Sequence, residues 1–448
     1  MEQWASNRSS SPELRCDLGD ALAYEFCHPY NPPMKKLLVI GYVWPEPNSS
    51  AAGSRMLQLL SCLQQDGYQI TYASPAQSSD HAVDLTSLNI EPVSIEINSS
   101  SFDEFILKLQ PTAVLFDRFM MEEQFAWRVE KHCPNALRIL DTEDLHCLRL
   151  ARQQQAKNSH EFVVSQVDNR QLYSDTAKRE IAAILRCDLT LMISEVEMQI
   201  LLQRFQVPRH ILAYVPFMLD DPIEKPLPEF SQRQHFVSIG NFRHEPNWNA
   251  VLCLKQEIWP RIRKQLPKAQ LHIYGAYPPK KATQLHNEKQ GFHIKGWVED
   301  AKQMMANSKV LLAPLRFGAG LKGKFLDAAA CKLPSVTTSI GREGLFYQQQ
   351  HETLLCSDNL DEFAQLAVKL HEDESLWHSL HDNCHDFIRQ RFNKQEHGAI
   401  LIKQLEGIRS NLEEHRLTNF SGAMLRHHSL KSTQYMAQWI EAKNKLPQ

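Results

Sequence analysis

At 448 residues, with 43% hydrophobic and 23% charged side chains, the chain is too long for one ordinary core. Its formal net charge of −3 gives no basic excess of the kind nucleic-acid binding uses, so nucleic acid is not an expected partner. No apolar run approaches the ~18 residues of a membrane span, and the first residues lack an apolar leader segment. The 10 cysteines and 20 histidines are scattered without a CxxC pair, so reduced thiols in a cytoplasmic setting are expected, with no zinc site.

In chain order, residues 1–33 carry Ser and Pro without periodicity and read as a loosely ordered extension. The folded part is expected from Met34, where Lys35 and Lys36 lead into an apolar run. Residues 37–41 read as a buried strand. Met56, Leu59, Leu60 and Leu63 then recur at helical spacing, with Gly67 as terminator, and 69–73 form a second strand. The small-residue loop before that helix, ending at Gly53, sits at the strand's C-terminal end, where open α/β sheets bind ligands. Strands are expected at 113–116, 137–140, 189–193 and 211–215. After the second of these, the run 141–146 places Asp141, Glu143, Asp144 and His146 together. That suits acid–base or hydroxyl-binding work, and equally a cluster of helix caps. Ser194 and Glu197 have capping-box spacing and read as structural. The Pro-, Asp- and Glu-rich stretch 220–230 reads as an interdomain connection.

The second half repeats the alternation, with strands expected at 236–240, 271–274, 292–294, 310–313 and 335–338, Asp300 as a helix cap, and helices from about 360. Such alternation implies two parallel sheets. The expected division is extension 1–33, first domain 34–218, connection 219–234, second domain 235–405 and helical tail 406–448. Tyr435, Trp439 and Ile440 give the tail enough apolar character to dock.

The most informative stretch is 311–333, LLAPLRFGAGLKGKFLDAAACKL. A strand runs into Gly318, Gly320 and Gly323, interleaved with Lys322 and Lys324, and then into a small-residue helix bearing Asp327. Glycines let a backbone approach a ligand closely, and the following helix aims free N–H groups and a positive dipole end at an anion. Two ammonium groups there make a phosphate the expected guest. The literal GxGxxG match at 318–323 also admits a nicotinamide-dependent dehydrogenase, but it lies deep in the second half, with Lys322 in a variable position.

The order of these motifs resembles a GT-B glycosyltransferase, close to glycosyltransferase family 4, over about residues 34–391. Its most specific part is 317–336, FGAGLKGKFLDAAACKLPSV, followed by the family-like loop 339–345, SIGREGL. The resemblance implies two Rossmann-like domains facing a cleft, the acceptor on the first and a nucleotide-sugar donor, UDP- or GDP-linked, on the second. It implies that Asp327 binds the donor ribose, that 296–298, including Trp297 and Val298, lie against the base, and that Gly53 approaches the donor phosphates. Lys322, Lys324, Arg243 and the helix start at Gly323, beside Gly320, would hold the diphosphate without a metal or other cofactor. His146 or Asp144 would assist the acceptor hydroxyl. Retention of anomeric configuration is implied by the family alone. The chain departs from the pattern at Ala319, where a glutamate is usual, at Asp327, where glutamate is commoner, and in offering only Arg243 where an Arg/Lys pair is typical. Its Gly320-x-Lys322-x-Lys324 arrangement resembles a GxKxK variant. Expected partners are the donor and a carbohydrate or lipid-linked acceptor, with peripheral membrane contact in the lipid-linked case. Ala319 keeps open a catalytically silent GT-B scaffold.

Overall fold

A computed structural model describes residues 34–158, 162–222, 226–346 and 352–445, so the expected extension 1–33 lies outside the described residues. The apolar runs become two wholly parallel sheets. In the first, β1 (Lys36–Ile40), β2 (Gln69–Ser74), β3 (Glu91–Ser94), β4 (Ala113–Asp117), β5 (Leu137–Asp141), β6 (Leu189–Met192) and β7 (Leu212–Tyr214) pair in the order β3-β2-β1-β4-β5-β6-β7. In the second, β8 (Gln234–Ile239), β9 (Leu271–Tyr274), β10 (Phe292–Gly296), β11 (Ser308–Ala313), β12 (Ser335–Thr337) and β13 (Leu354–Cys356) pair as β10-β9-β8-β11-β12-β13.

Both sheets are covered by helices on both faces, which is why their central strands read as continuous apolar runs rather than alternations. In β1, Leu37 and Val39 enter one core layer while Leu38 and Ile40 enter the other, all four at 1% exposure or less. The two strands with no forecast, β3 and β13, are edge strands of four and three residues, too short and, in β3, too polar to show a pattern.

Strand order reverses between β1 and β4 and again between β8 and β11, so each sheet has one crevice at the C-terminal ends of its strands. The chain crosses between the sheets twice, and the two crossings touch: Leu219 N donates to Phe392 O at 2.8 Å and Lys394 N to Leu219 O at 3.0 Å. The helix Lys394–Ser410 then buries Leu401 and Leu405 in the core layer of β1. The return to the first sheet thus comes before the expected boundary at 405, because helical spacing of leucines does not say which sheet they cover.

The last helix, Phe420–Asn444, packs on the helices Phe119–His132 and Asp175–Arg186 of the first domain. The tail docks through Leu430 and Ala437, and Tyr435 and Trp439, expected to dock, face outward. The eight cysteines among the described residues are free thiols, seven of them buried. No helix of the described residues is long and apolar enough to cross a membrane.

Candidate active site

The two crevices open onto one another and form a cleft of about 1950 Å³, lined from both domains. That exceeds the ~300–1,000 Å³ of a single small-ligand pocket. Two helix entrances meet in it. The Ala51–Gln65 helix starts after β1, capped by Ser50 Oγ, which accepts from Gly53 N at 3.1 Å. The Gly323–Ala330 helix starts after β11. They are so close that a Cβ on Gly323 would lie 2.7 Å from the Ala51 Cβ, while within the first domain one on Gly53 would lie 2.6 Å from the Glu46 backbone. Glycine at 323 therefore lets the two positive dipole ends approach one another.

The second-domain wall is built around the glycine loop. Gly320 has φ +65, a conformation that side chains rarely adopt, and its peptide turns toward the first domain. Lys324 Nζ donates to Asn247 Oδ1 at 2.9 Å; burial alone lowers its ammonium to about 8. Asn247 in turn donates to Asn241 O at 3.1 Å and leans on Gly240 at the end of β8, so it carries the lysine on a neutral support. Lys322 is also buried on the cleft, but its ammonium donates to Gly320 O at 2.8 Å and lies 3.9 Å from Glu343. Burial lowers it, with Glu343 pulling the other way. The two lysines predicted to act alike are therefore held differently: Lys322 braces its own loop and Lys324 faces a neutral amide.

Asp327 lines the same cleft with an exposed side chain, with Lys302 holding its carboxylate charged. Arg243 stacks its guanidinium over Tyr277 at 3.6 Å, and Tyr277 donates to Glu46 of the first domain at 2.9 Å. Trp297 stacks on His81 of the first domain, 4.9 Å between centroids, with Val298 beside it on the cleft wall.

The first-domain wall is made differently. Asp141, at the end of β5, is fully buried and receives Arg55 Nη1 at 2.7 and 2.5 Å, while Arg55 Nη2 donates to Val215 O at 2.8 Å. It holds the Ala51 helix to the sheet and is unavailable for acid–base work. Glu143 (φ +61), Asp144 and His146 reach the cleft. Burial would raise Asp144, but Arg149, donating to it at 2.7 Å, and His146 outweigh this and hold it at about 2. His146 Nε2 lies 3.4 Å from Asp144 and its edge meets Phe119; burial lowers the ring to about 4, so it is neutral near pH 7.

Several groups that carry the geometry gave no functional signal in the sequence. Ser194 Oγ accepts from Glu197 N at 3.5 Å, the first half of a capping box. The Glu197 carboxylate does not close the box. It crosses the cleft instead, accepting from Gly320 N at 2.6 Å and from Leu145 N at 3.3 Å, and burial together with nearby Asp144 raises it to about 8. Arg152 makes the second crossing, donating to Gly318 O at 2.8 Å and to both oxygens of Glu343 at 2.9 and 2.7 Å. His244, an exposed residue of the β8 loop, lines the same cleft, where Arg149 disfavours its protonation. The spacing of a capping box could not reveal that its glutamate belongs to another domain's loop.

Among the described residues one group has metal-ligand geometry, His378, His381 and Asp382, with ligand atoms within 4.8 Å. It lies on the helix Glu374–Arg391 and takes no part in the cleft lining. The GxGxxG match follows β11, the fourth strand of its sheet, whereas a dinucleotide fingerprint belongs at the first βα turn.

Residues 233–373 match the family model described as Glycosyl transferases group 1. The whole architecture matches solved structures. Sucrose-phosphate synthase from Thermosynechococcus elongatus superposes at TM-score 0.61 and 14% identity, over 84% of this chain and 100% of that one. Anabaena HepE in complex with UDP and glucose gives 0.62 and 11%, over 83% and 99%, and S. aureus TarM 0.64 and 10%, over 83% and 98%. No curated protein sequence matches this chain. The expected fold, GT-B with C-terminal helices, is thus the fold observed.

Proposed function

From a GT-B frame whose residues 233–373 form a group 1 glycosyl transferase domain, we propose that this protein moves a sugar from a nucleotide-sugar donor to an acceptor hydroxyl. The observation that carries the reading is the meeting of two helix entrances beside Lys324, an ammonium on a neutral amide at the place where a diphosphate would depart. The base would lie against Trp297 and Val298 and the ribose against Asp327. HepE, of the same fold, is solved with UDP, which favours a uridine donor.

As the glycosyl C–O bond breaks, its electron pair passes to the β-phosphate oxygen. Lys324, Arg243 and the two dipole ends stabilise that charge where it develops. These groups would serve without a metal. The acceptor oxygen bonds to the anomeric carbon with retention, as the family resemblance implies. His146, neutral and weakly basic, accepts the hydroxyl's hydrogen bond and orients it, and the proton ends on the departing diphosphate. Lys322, Glu197 and Arg152 act at one remove, holding the glycine loop in place.

Incubation with UDP- and GDP-sugars without acceptor tests the reading. Slow release of nucleoside diphosphate is expected; no release from any of them favours the catalytically silent scaffold that Ala319 admits. For His146→Ala, turnover at saturating acceptor is expected to fall about tenfold, the scale of one lost orienting hydrogen bond. Full turnover would remove His146 from the acceptor site.

A further inference from the structure

The five most exposed large apolar side chains of the described residues all lie on the two last helices. They are Phe420 (78% exposed), Leu417 (70%), Tyr435 (65%), Trp439 (60%) and Met436 (58%). The helix Phe420–Asn444 already has a complete seam against the first domain. Leu430 and Ala437 are buried there, Asn419 Nδ2 donates to Leu185 O at 2.8 Å, and a Cβ on Gly422 would lie 2.1 Å from that same carbonyl. The outward apolar residues are therefore surplus to docking. A helix apolar on both sides is one whose second side is normally covered.

Charge says what covers it. The outward surface carries His427, His428, Lys431 and Lys443, all exposed. The helix has one acid, Glu441, and it is spent on Ser100 Oγ at 2.6 Å and Lys445 at 2.9 Å. On this helix, aromatic rings interspersed with lysines and no free carboxylate form the pattern of a helix lying in a lipid interface, rings at the acyl boundary and ammonium groups among anionic headgroups, while the exposed Glu413 and Glu414 stay on the preceding helix. A second copy fits worse, because a two-fold contact would set the Lys431 and Lys443 ammonium groups against their own copies. Twenty-five residues make a rod of about 37 Å, long enough for several headgroup contacts. Its last turns reach Ser100, at the start of the helix after the edge strand β3.

We propose that the outward side of the Phe420–Asn444 helix, with Leu417, seats this protein on an anionic lipid bilayer. The contact is peripheral: rings enter the headgroup region and nothing spans it. The proposal does not depend on the transferase reading, since vesicle binding needs no substrate.

Flotation of the full chain on vesicles of phosphatidylcholine, with and without phosphatidylglycerol, tests it. Binding is expected to vesicles containing phosphatidylglycerol and to weaken with salt. Replacing Phe420, Tyr435 and Trp439 by Ser should lower partitioning about 10-fold or more. Replacing Lys431 and Lys443 by Gln should lower it roughly five-fold per lysine on anionic vesicles only. All five side chains are exposed, and an unchanged circular dichroism melt confirms that a loss reflects the surface. No binding to anionic vesicles, or binding by either variant as strong as that of the unaltered chain, overturns the proposal. A dimer in solution that the serine variant dissociates also overturns it, by assigning the surface to a second copy.

Discussion

The two walls of the cleft are built on opposite electrostatic plans. On the second-domain wall, Lys324 rests on an amide and Arg243 on a phenol ring, so each cation keeps its charge for a guest. On the first-domain wall the charges are matched in pairs, Arg55 with Asp141 and Arg149 with Asp144, while Arg152 reaches over to Glu343. The difference teaches where an anion goes. A cation already neutralised by a carboxylate gains little from a phosphate, whereas one on a neutral support gains most of the Coulomb energy available in a partly dry site. The first wall uses its ion pairs as framework and leaves a neutral imidazole, His146, facing the cleft.

The comparison breaks first at its framework. Arg55→Leu strands a buried carboxylate, so it is expected to cost about 3–5 kcal/mol in unfolding free energy, read as a lower urea midpoint. A loss below 1 kcal/mol would show that the pair is not holding the Ala51 helix. On the second wall, Lys324→Ala should cut kcat about 100- to 1,000-fold with the melting temperature nearly unchanged, the scale of one preorganised charge-stabilising donor. Lys322→Ala should do less to kcat and more to stability, since Gly320 O and Glu343 lose a partner. If the two variants swap these signatures, the assignment of grip and brace is reversed.

The smallest effect sharpens the comparison through pH. Burial holds Lys324 near 8, below its ordinary 10.5, so its charge is full at pH 6 to 7 and is lost as pH rises through 8. kcat/KM should therefore fall about tenfold per unit above that point. His146, lowered to about 4, stays neutral through this range, whereas Glu197, raised to about 8, ionises within it, so the limb has two candidate sources. Lys324→Arg, always charged, should remove the limb; its persistence would assign the titration elsewhere.

The second wall was legible because its parts are neighbours in the chain. Gly318 to Asp327 spell loop, cations and acid in one stretch, and the apolar runs of central strands announce both sheets. The first wall is assembled from the ends of β1, β4, β5 and β6, and no local pattern links Arg55 to Asp141 or Glu197 to Gly320. Glu197 shows the limit well: its spacing from Ser194 is that of a cap, and only the folded chain reveals a peptide N–H from another domain within its reach. Edge strands β3 and β13 were invisible for a simpler reason, being exposed or three residues long. In sequence the outward rings of the last helix look like docking residues, because apolar character alone does not tell which side of a helix is already covered.

Calorimetric titration of UDP and GDP into the unaltered protein and into Lys324→Met decides whether the cleft grips a diphosphate through that ammonium. Saturable binding of one nucleoside diphosphate per chain is expected at the unaltered cleft, weakened at least about tenfold by the substitution, in line with loss of a charge-assisted contact. Equal affinity for both proteins, or no binding of either nucleotide, would contradict it.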